Sequence, residues 1–158
     1  IQEHFRLDAF AYSLCFAINA SGMIVGSRIT PRFSDVFSAL KTGVYGLCIA
    51  SGLFVAVLFA GGLFYVMEAL LFIMMVFLGM ILPTSTSLAL TLERKNAGGA
   101  SAVIGFFLFI FGAIVSPMTG FGPMILSISI MTLLCCLLAF VFLRIAARRA
   151  RQNREENA

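Results

Sequence analysis

Between Thr42 and Leu92 the sequence carries a single charged side chain, Glu68, and between Asn96 and Leu143 it carries none. A helix needs roughly 20 apolar residues to cross the hydrocarbon layer of a bilayer. Each of these stretches is long enough for two crossings joined by a tight turn. The turns are expected at Gly61-Gly62 and at Gly120-Phe121-Gly122-Pro123, where glycine and proline punctuate the apolar run. A further uncharged length separates Asp8 from Arg28, which brings the expected number of spans to five. The stretches lack the apolar/polar alternation of barrel strands, and a lipid-exposed backbone must satisfy its own hydrogen bonds, so the spanning elements are read as helices.

Composition points the same way. Hydrophobic residues make up 61% of the 158 and charged residues 11%, against roughly 45–50% apolar content in soluble domains. The expected fold is an all-α membrane protein, a polytopic helical bundle. Residues 1–8 are expected as an extracytoplasmic loop segment and 9–143 as the five-helix bundle, with spans near 9–27, 43–60, 64–90, 99–119 and 124–143. Residues 144–158 are expected as a cytoplasmic basic tail.

Basic residues gather on the cytoplasmic side of short loops. Arg28, Arg32 and Lys41 belong to the first connection in this reading, Arg94 and Lys95 to the third, and Arg144, Arg148, Arg149, Arg151 and Arg154 to the tail. All fall on one side, and only Arg6 lies opposite. The orientation that follows has the carboxyl end cytoplasmic in a multi-pass protein of the cell inner (plasma) membrane. The net charge of +4 then reflects membrane topology and anionic headgroups and does not point to nucleic acid. A chain that starts outside at Ile1, with neither a signal peptide nor an earlier helix to put it there, leads to the expectation of a fragment lacking amino-terminal helices of the same chain.

Motifs of catalysis are absent from the sequence: no Walker loop, no HExxH and no GxSxG. His4 is the single histidine and is read as a solvated loop residue. Cys15, Cys48, Cys135 and Cys136 fall within spans and read as small apolar packing residues; they show no metal-ligand spacing, and adjacent Cys135 and Cys136 point to different helix faces. No metal, cofactor or enzymatic activity is expected.

Helical periodicity then sorts the spans. In the first, Tyr12, Cys15, Asn19, Gly22 and Gly26 share a face, and the GxxxG pair Gly22 and Gly26 admits close approach of another helix. Asn19, a primary amide in mid-span, must face protein or a water-filled cavity. The second span holds no amide, acid or base and the fifth is nearly all aliphatic, with Ser127, Ser129 and Thr132 as its polar variation, so both are expected at the periphery. The third aligns Glu68, Phe72, Met75, Gly79, Leu82 and Thr86. Pro83 interrupts its ladder, and the hydroxyls of residues 84–87 are placed to satisfy the freed carbonyls. In the fourth, Ser101, Gly105, Gly112 and Ser116 form a narrow groove beside Phe106 and Phe109, with Pro117 near the end. That groove suits either close packing or a moving helix beside a cavity. Glu68, the only acid within the long apolar regions, is a functional candidate because a carboxylate in a membrane is costly.

The stretches Gly79-Met80-Ile81-Leu82-Pro83, Leu88-Ala89-Leu90, Gly99-Ala100-Ser101-Ala102-Val103-Ile104-Gly105-Phe106, Gly112-Ala113 and Ser116-Pro117 resemble the tenth and eleventh helices of the Bcr/CflA-type drug-resistance branch of the major facilitator superfamily. Glu3-His4-Phe5, Phe16-Ala17-Ile18-Asn19-Ala20 and Gly26-Ser27-Arg28 are similar to the end of its seventh helix, the outer loop and its eighth helix. The resemblance implies helices eight to twelve of a twelve-helix exporter of drugs or small metabolites, driven by protons through alternating access. It also implies that the eighth, tenth and eleventh helices line the cavity. Leu108 stands where that family often has glutamine, the loop from Ile29 to Thr42 is poorer in arginine, and the family's coupling acids belong mainly to the other half.

On this reading Tyr12, Asn19, Glu68, Met75, Phe106 and Phe109 line a substrate cavity. Gly22, Gly26, Gly79, Pro83, Ser101, Gly105, Gly112 and Pro117 serve helix packing or gating. The expected partners are a small-molecule substrate, protons and the lipid bilayer. The alternatives are a non-transporting membrane subunit that packs through its glycine faces and, further off, a membrane-embedded enzyme.

Overall fold

The computed structural model describes residues 9–61, 63–92, 94–118 and 124–156. Five α-helices account for almost all of them, with no strand among the described residues. They are α1 (Ala9–Ile29), α2 (Val36–Phe59), α3 (Phe64–Leu92), α4 (Ala97–Met118) and α5 (Met124–Glu156). Short 3-10 turns at Thr30–Arg32 and Arg94–Asn96 lead into α2 and α4. Four of the five, α2 to α5, contain described segments long and apolar enough to cross a membrane.

The helix limits differ from the apolar runs in two places. α2 starts at Val36, before the expected Gly43, because Asp35 caps it: the Asp35 side chain accepts from the Ser38 N–H at 3.3 Å. Lys41 therefore sits inside the helix, with its ammonium 4.8 Å from the centre of the Phe37 ring. The other difference is α5, which continues as helix through the arginine-rich tail to Glu156. A polar extension in water needs no break in the helix, and the Arg144 guanidinium lies 5.1 Å from the Phe140 ring centre.

Gly61, with φ +66°, makes the reversal after α2 that a side chain would resist. The expected turn at Gly120–Pro123 lies outside the described residues, as do His4 and the segment 1–8.

Packing direction follows from which residues meet. Asn19 meets Glu68, Gly22 meets Phe72 and Met75, and Gly26 meets Val76 and Gly79, so α1 and α3 run parallel. Gly43 faces Ile81 and Met80 while Gly46 faces Phe77, so α2 runs antiparallel to α3. Tyr45 packs edge-on against Phe140 at 5.8 Å and Cys48 meets Cys136, so α5 is antiparallel to α2. The carboxyl ends of α1, α3 and α5 and the amino end of α2 thus share one end of the bundle. Arg28, Arg32, Lys41, Lys95 and Arg144 to Arg149 all belong to that end.

The second helix was expected at the periphery, and the structure corrects this. α2 buries Ala39, Gly43, Val44, Leu47, Ala50, Ser51 and Phe54 and packs against both α3 and α5. Its small residues, rather than any polar group, allow the approach: a Cβ on Gly46 would strike the Phe77 ring. By contrast, α4 buries no residue among those described.

Candidate polar site between the first and third helices

Where α1 and α3 run side by side, glycine sets their spacing. A Cβ on Gly26 would collide with the Val76 carbonyl, and one on Gly79 with the backbone of Met23. At Gly22 the clearances are 3.1 Å to the Phe72 carbonyl oxygen and 3.2 Å to the Met75 Cβ. With the backbones so close, the short Asn19 side chain spans the gap, and its Nδ2 donates to Glu68 Oε1 at 2.8 Å. Both residues are half-buried. The Cys15 thiol, one turn before Asn19, approaches the same carboxylate. Asn19 Oδ1 is buried and has no hydrogen-bond partner among the described residues.

This arrangement has a definite chemistry. An ionised carboxylate only accepts hydrogen bonds, whereas a protonated one also donates. The amide beside Glu68 offers a donor, already engaged, and a vacant acceptor on the same group.

The other residues singled out from the sequence lie apart from this pair or pack around it. Met75 is half-buried against Gly22. Phe106 and Phe109, on α4, are 61% and 83% exposed. Ser101 is exposed and its hydroxyl donates to the Gly98 carbonyl at 2.9 Å. A Cβ on Gly105 or Gly112 would meet nothing within 4 Å, and Pro117 is exposed one residue before α4 ends. The small-residue groove of α4 thus has no helix seated in it among the described residues. The Tyr12 side chain lies outside the described residues.

Pro83 does not end α3, which continues to Leu92. The neighbouring hydroxyls do bond to backbone, with a different target from the expected one. Proline leaves the Gly79 carbonyl without its N–H, yet Thr84 Oγ1 donates to Met80 O at 2.6 Å and lies 2.9 Å from Ile81 O, while Thr86 Oγ1 donates to Leu82 O at 2.8 Å. Beside this turn, an open groove of about 710 Å³ is lined by Leu82, Pro83, Thr86, Leu90 and Thr91 of α3 and by Leu108 of α4.

Two features were not legible beforehand. One is the pairing of Asn19 with Glu68, since each was read alone on its helix. The other is the meeting of Cys48 and Cys136, 88 residues apart, with Cys48 Sγ 3.6 Å from the Cys136 carbonyl oxygen.

The chain is similar to the "Uncharacterized MFS-type transporter YdgK" of Bacillus subtilis (strain 168), with 30% identity over 122 residues. The similarity supports membership of the major facilitator superfamily. The aligned part is 75% of this chain and 30% of the relative, so the chain spans less than a third of that transporter's length. No family model matches the chain, and no solved structure matches it. The run of apolar helices and the similarity to an MFS-type transporter support a membrane-embedded setting.

Proposed function

We propose that this chain is part of a secondary active exporter of drugs or small metabolites, of the Bcr/CflA type, working by proton antiport and alternating access. The observation that carries the reading is the Asn19–Glu68 hydrogen bond, an acid and an amide joined across two apolar helices. A group of this kind inside a membrane is expensive to keep without a use. Protonation of Glu68 supplies a donor for the vacant Asn19 Oδ1, so the strength of the α1–α3 contact depends on proton occupancy. Coupling then follows if one access state favours the protonated contact and the other the ionised one.

The cargo is taken to be apolar or weakly polar. Met75, Phe106 and Phe109 would present thioether and aromatic surface, and Asn19 with Glu68 would orient a polar group, as in a permissive binding cavity. Amino-terminal helices of the same chain would complete the cavity, and the protein would lie in the inner (plasma) membrane with its carboxyl end cytoplasmic. The clustered cations at one end of the bundle support that orientation.

The test is dye or drug export by the intact transporter in energised membrane vesicles, compared among wild type, Glu68→Gln and Asn19→Leu at matched membrane levels. Loss of gradient-driven export in Glu68→Gln, with export down a pre-imposed substrate gradient retained, is the expected result. If both variants only lower the amount of assembled protein and leave export per molecule unchanged, the pair is structural and the packing-subunit reading takes over.

A further inference from the structure

Cys136 of α5 lies against α2 between two side chains one turn apart. Its Sγ is 3.1 Å from Ser51 Oγ, and its carbonyl oxygen is 3.6 Å from Cys48 Sγ. Cys136 is 8% exposed and Cys48 is half-buried, whereas Cys135, the next residue along, is exposed. The contact is held in register by the Tyr45–Phe140 edge packing, close by on the same two helices.

We propose that Cys48 and Cys136 form a dithiol site between α2 and α5 for a thiophilic centre that takes two sulfur ligands, of which a trivalent organic arsenical is the type. The site requires the Cys136 side chain to turn between staggered rotamers, so that its sulfur leaves Ser51 for the side of its own carbonyl, where Cys48 Sγ lies. With an arsine oxide, two As–S bonds form and the As=O bond breaks. The oxygen leaves as water with both thiol protons, and arsenic remains trivalent throughout. The adduct is neutral, so no charge is left in the apolar interior. Metals that demand four ligands are poorly served, because among the described residues no group of three or more His, Cys, Asp or Glu comes together. Soft two-coordinate centres match two thiols and nothing else.

The site is independent of the transport reading and is tested separately. The full chain in membranes is treated with phenylarsine oxide and its intact mass is measured, after washing with either a monothiol or a dithiol. One adduct per chain is expected, stable to 2-mercaptoethanol and removed by ethanedithiol. Cys48→Ser and Cys136→Ser should each lose it, while Cys15→Ser and Cys135→Ser keep it. In the wild-type chain, peptide mapping after later maleimide labelling should find Cys48 and Cys136 protected and Cys15 and Cys135 labelled, which does not depend on the variants folding. An adduct that survives Cys48→Ser and disappears in Cys135→Ser would place the arsenic on the adjacent pair and overturn the proposal. So would a wild-type map in which Cys48 stays reactive.

Discussion

Asn19 reaches Glu68 at 2.8 Å only because Gly22, Gly26 and Gly79 let the backbones of α1 and α3 come together on the same face. Glycine and polar pair act in sequence: the small residues remove side-chain bulk, and the hydrogen bond fixes the rotation of one helix on the other. In lipid, where apolar surface alone gives no preference between helix and solvent, such a bond adds specificity that leucine contacts cannot.

Replacing Asn19 by leucine leaves the Glu68 carboxylate part-buried without its amide donor. The expected loss is about 1–3 kcal/mol, the desolvation cost of an unsatisfied polar group. Glu68→Gln retains a carbonyl oxygen to accept from Asn19 and should unfold near the wild-type temperature. Thermal unfolding in detergent micelles, followed by circular dichroism, checks both. Equal destabilisation of the two variants would show that the charge, and not the hydrogen bond, holds the contact.

The glycines separate into two classes that a substitution distinguishes. Gly26→Ala puts a methyl group into the Val76 carbonyl, which is backbone and cannot swing away, so a loss of about 1–3 kcal/mol is expected, as for overpacked cores. Gly105→Ala meets nothing within 4 Å and should be neutral or gain about 0.5–1 kcal/mol from helix propensity. The same unfolding measurement reads both. Destabilisation at Gly105 would show that another segment covers α4.

The helices were legible in the sequence because uncharged length is a direct consequence of the bilayer. The stretches around Glu68 and before Leu143 could hold nothing else. GxxxG at Gly22 and Gly26 likewise gave the face of α1 that meets α3. What escaped was the choice of neighbour, which depends on how three or more helices share small residues at once. α2 looked peripheral for want of amides and acids, yet Gly43, Gly46, Ala50 and Ser51 place it between α3 and α5. The groove of α4, which suited either close packing or a moving helix beside a cavity, buries nothing among the described residues. Asn19, Glu68 and Cys136 have partners tens of residues away, and no local periodicity encodes that distance.

The parallel and antiparallel contacts make a topology test sharp. Single cysteines introduced at Arg32, Lys95 and Arg149 in a cysteine-free background should react with a membrane-impermeant maleimide from one side only, and one at Gly61 from the other. Right-side-out and inverted vesicles supply the two sides. Reaction of Lys95→Cys and Arg149→Cys from opposite sides would contradict the shared end that the packing of α2, α3 and α5 defines.

Pro83 offers a stability change and an activity change with opposite signs. It removes the N–H that the Gly79 carbonyl would accept, inside a helix that nevertheless runs on to Leu92, at a typical cost of about 3 kcal/mol for an interior proline. Thr84, 1% exposed, answers part of the disturbance by bonding Met80 O, without reaching Gly79. Pro83→Ala restores the missing donor and should raise the unfolding temperature. If the weakened turn beside the α3–α4 groove is where α3 bends during alternating access, the same variant should export more slowly, the usual exchange of activity for rigidity. Thr84→Val, which keeps the proline and deletes the hydroxyl, should instead lower stability by about 0.5–1.5 kcal/mol. Parallel unfolding and vesicle export measurements decide the matter, and a Pro83→Ala protein that is both more stable and fully active would remove Pro83 from any gating role.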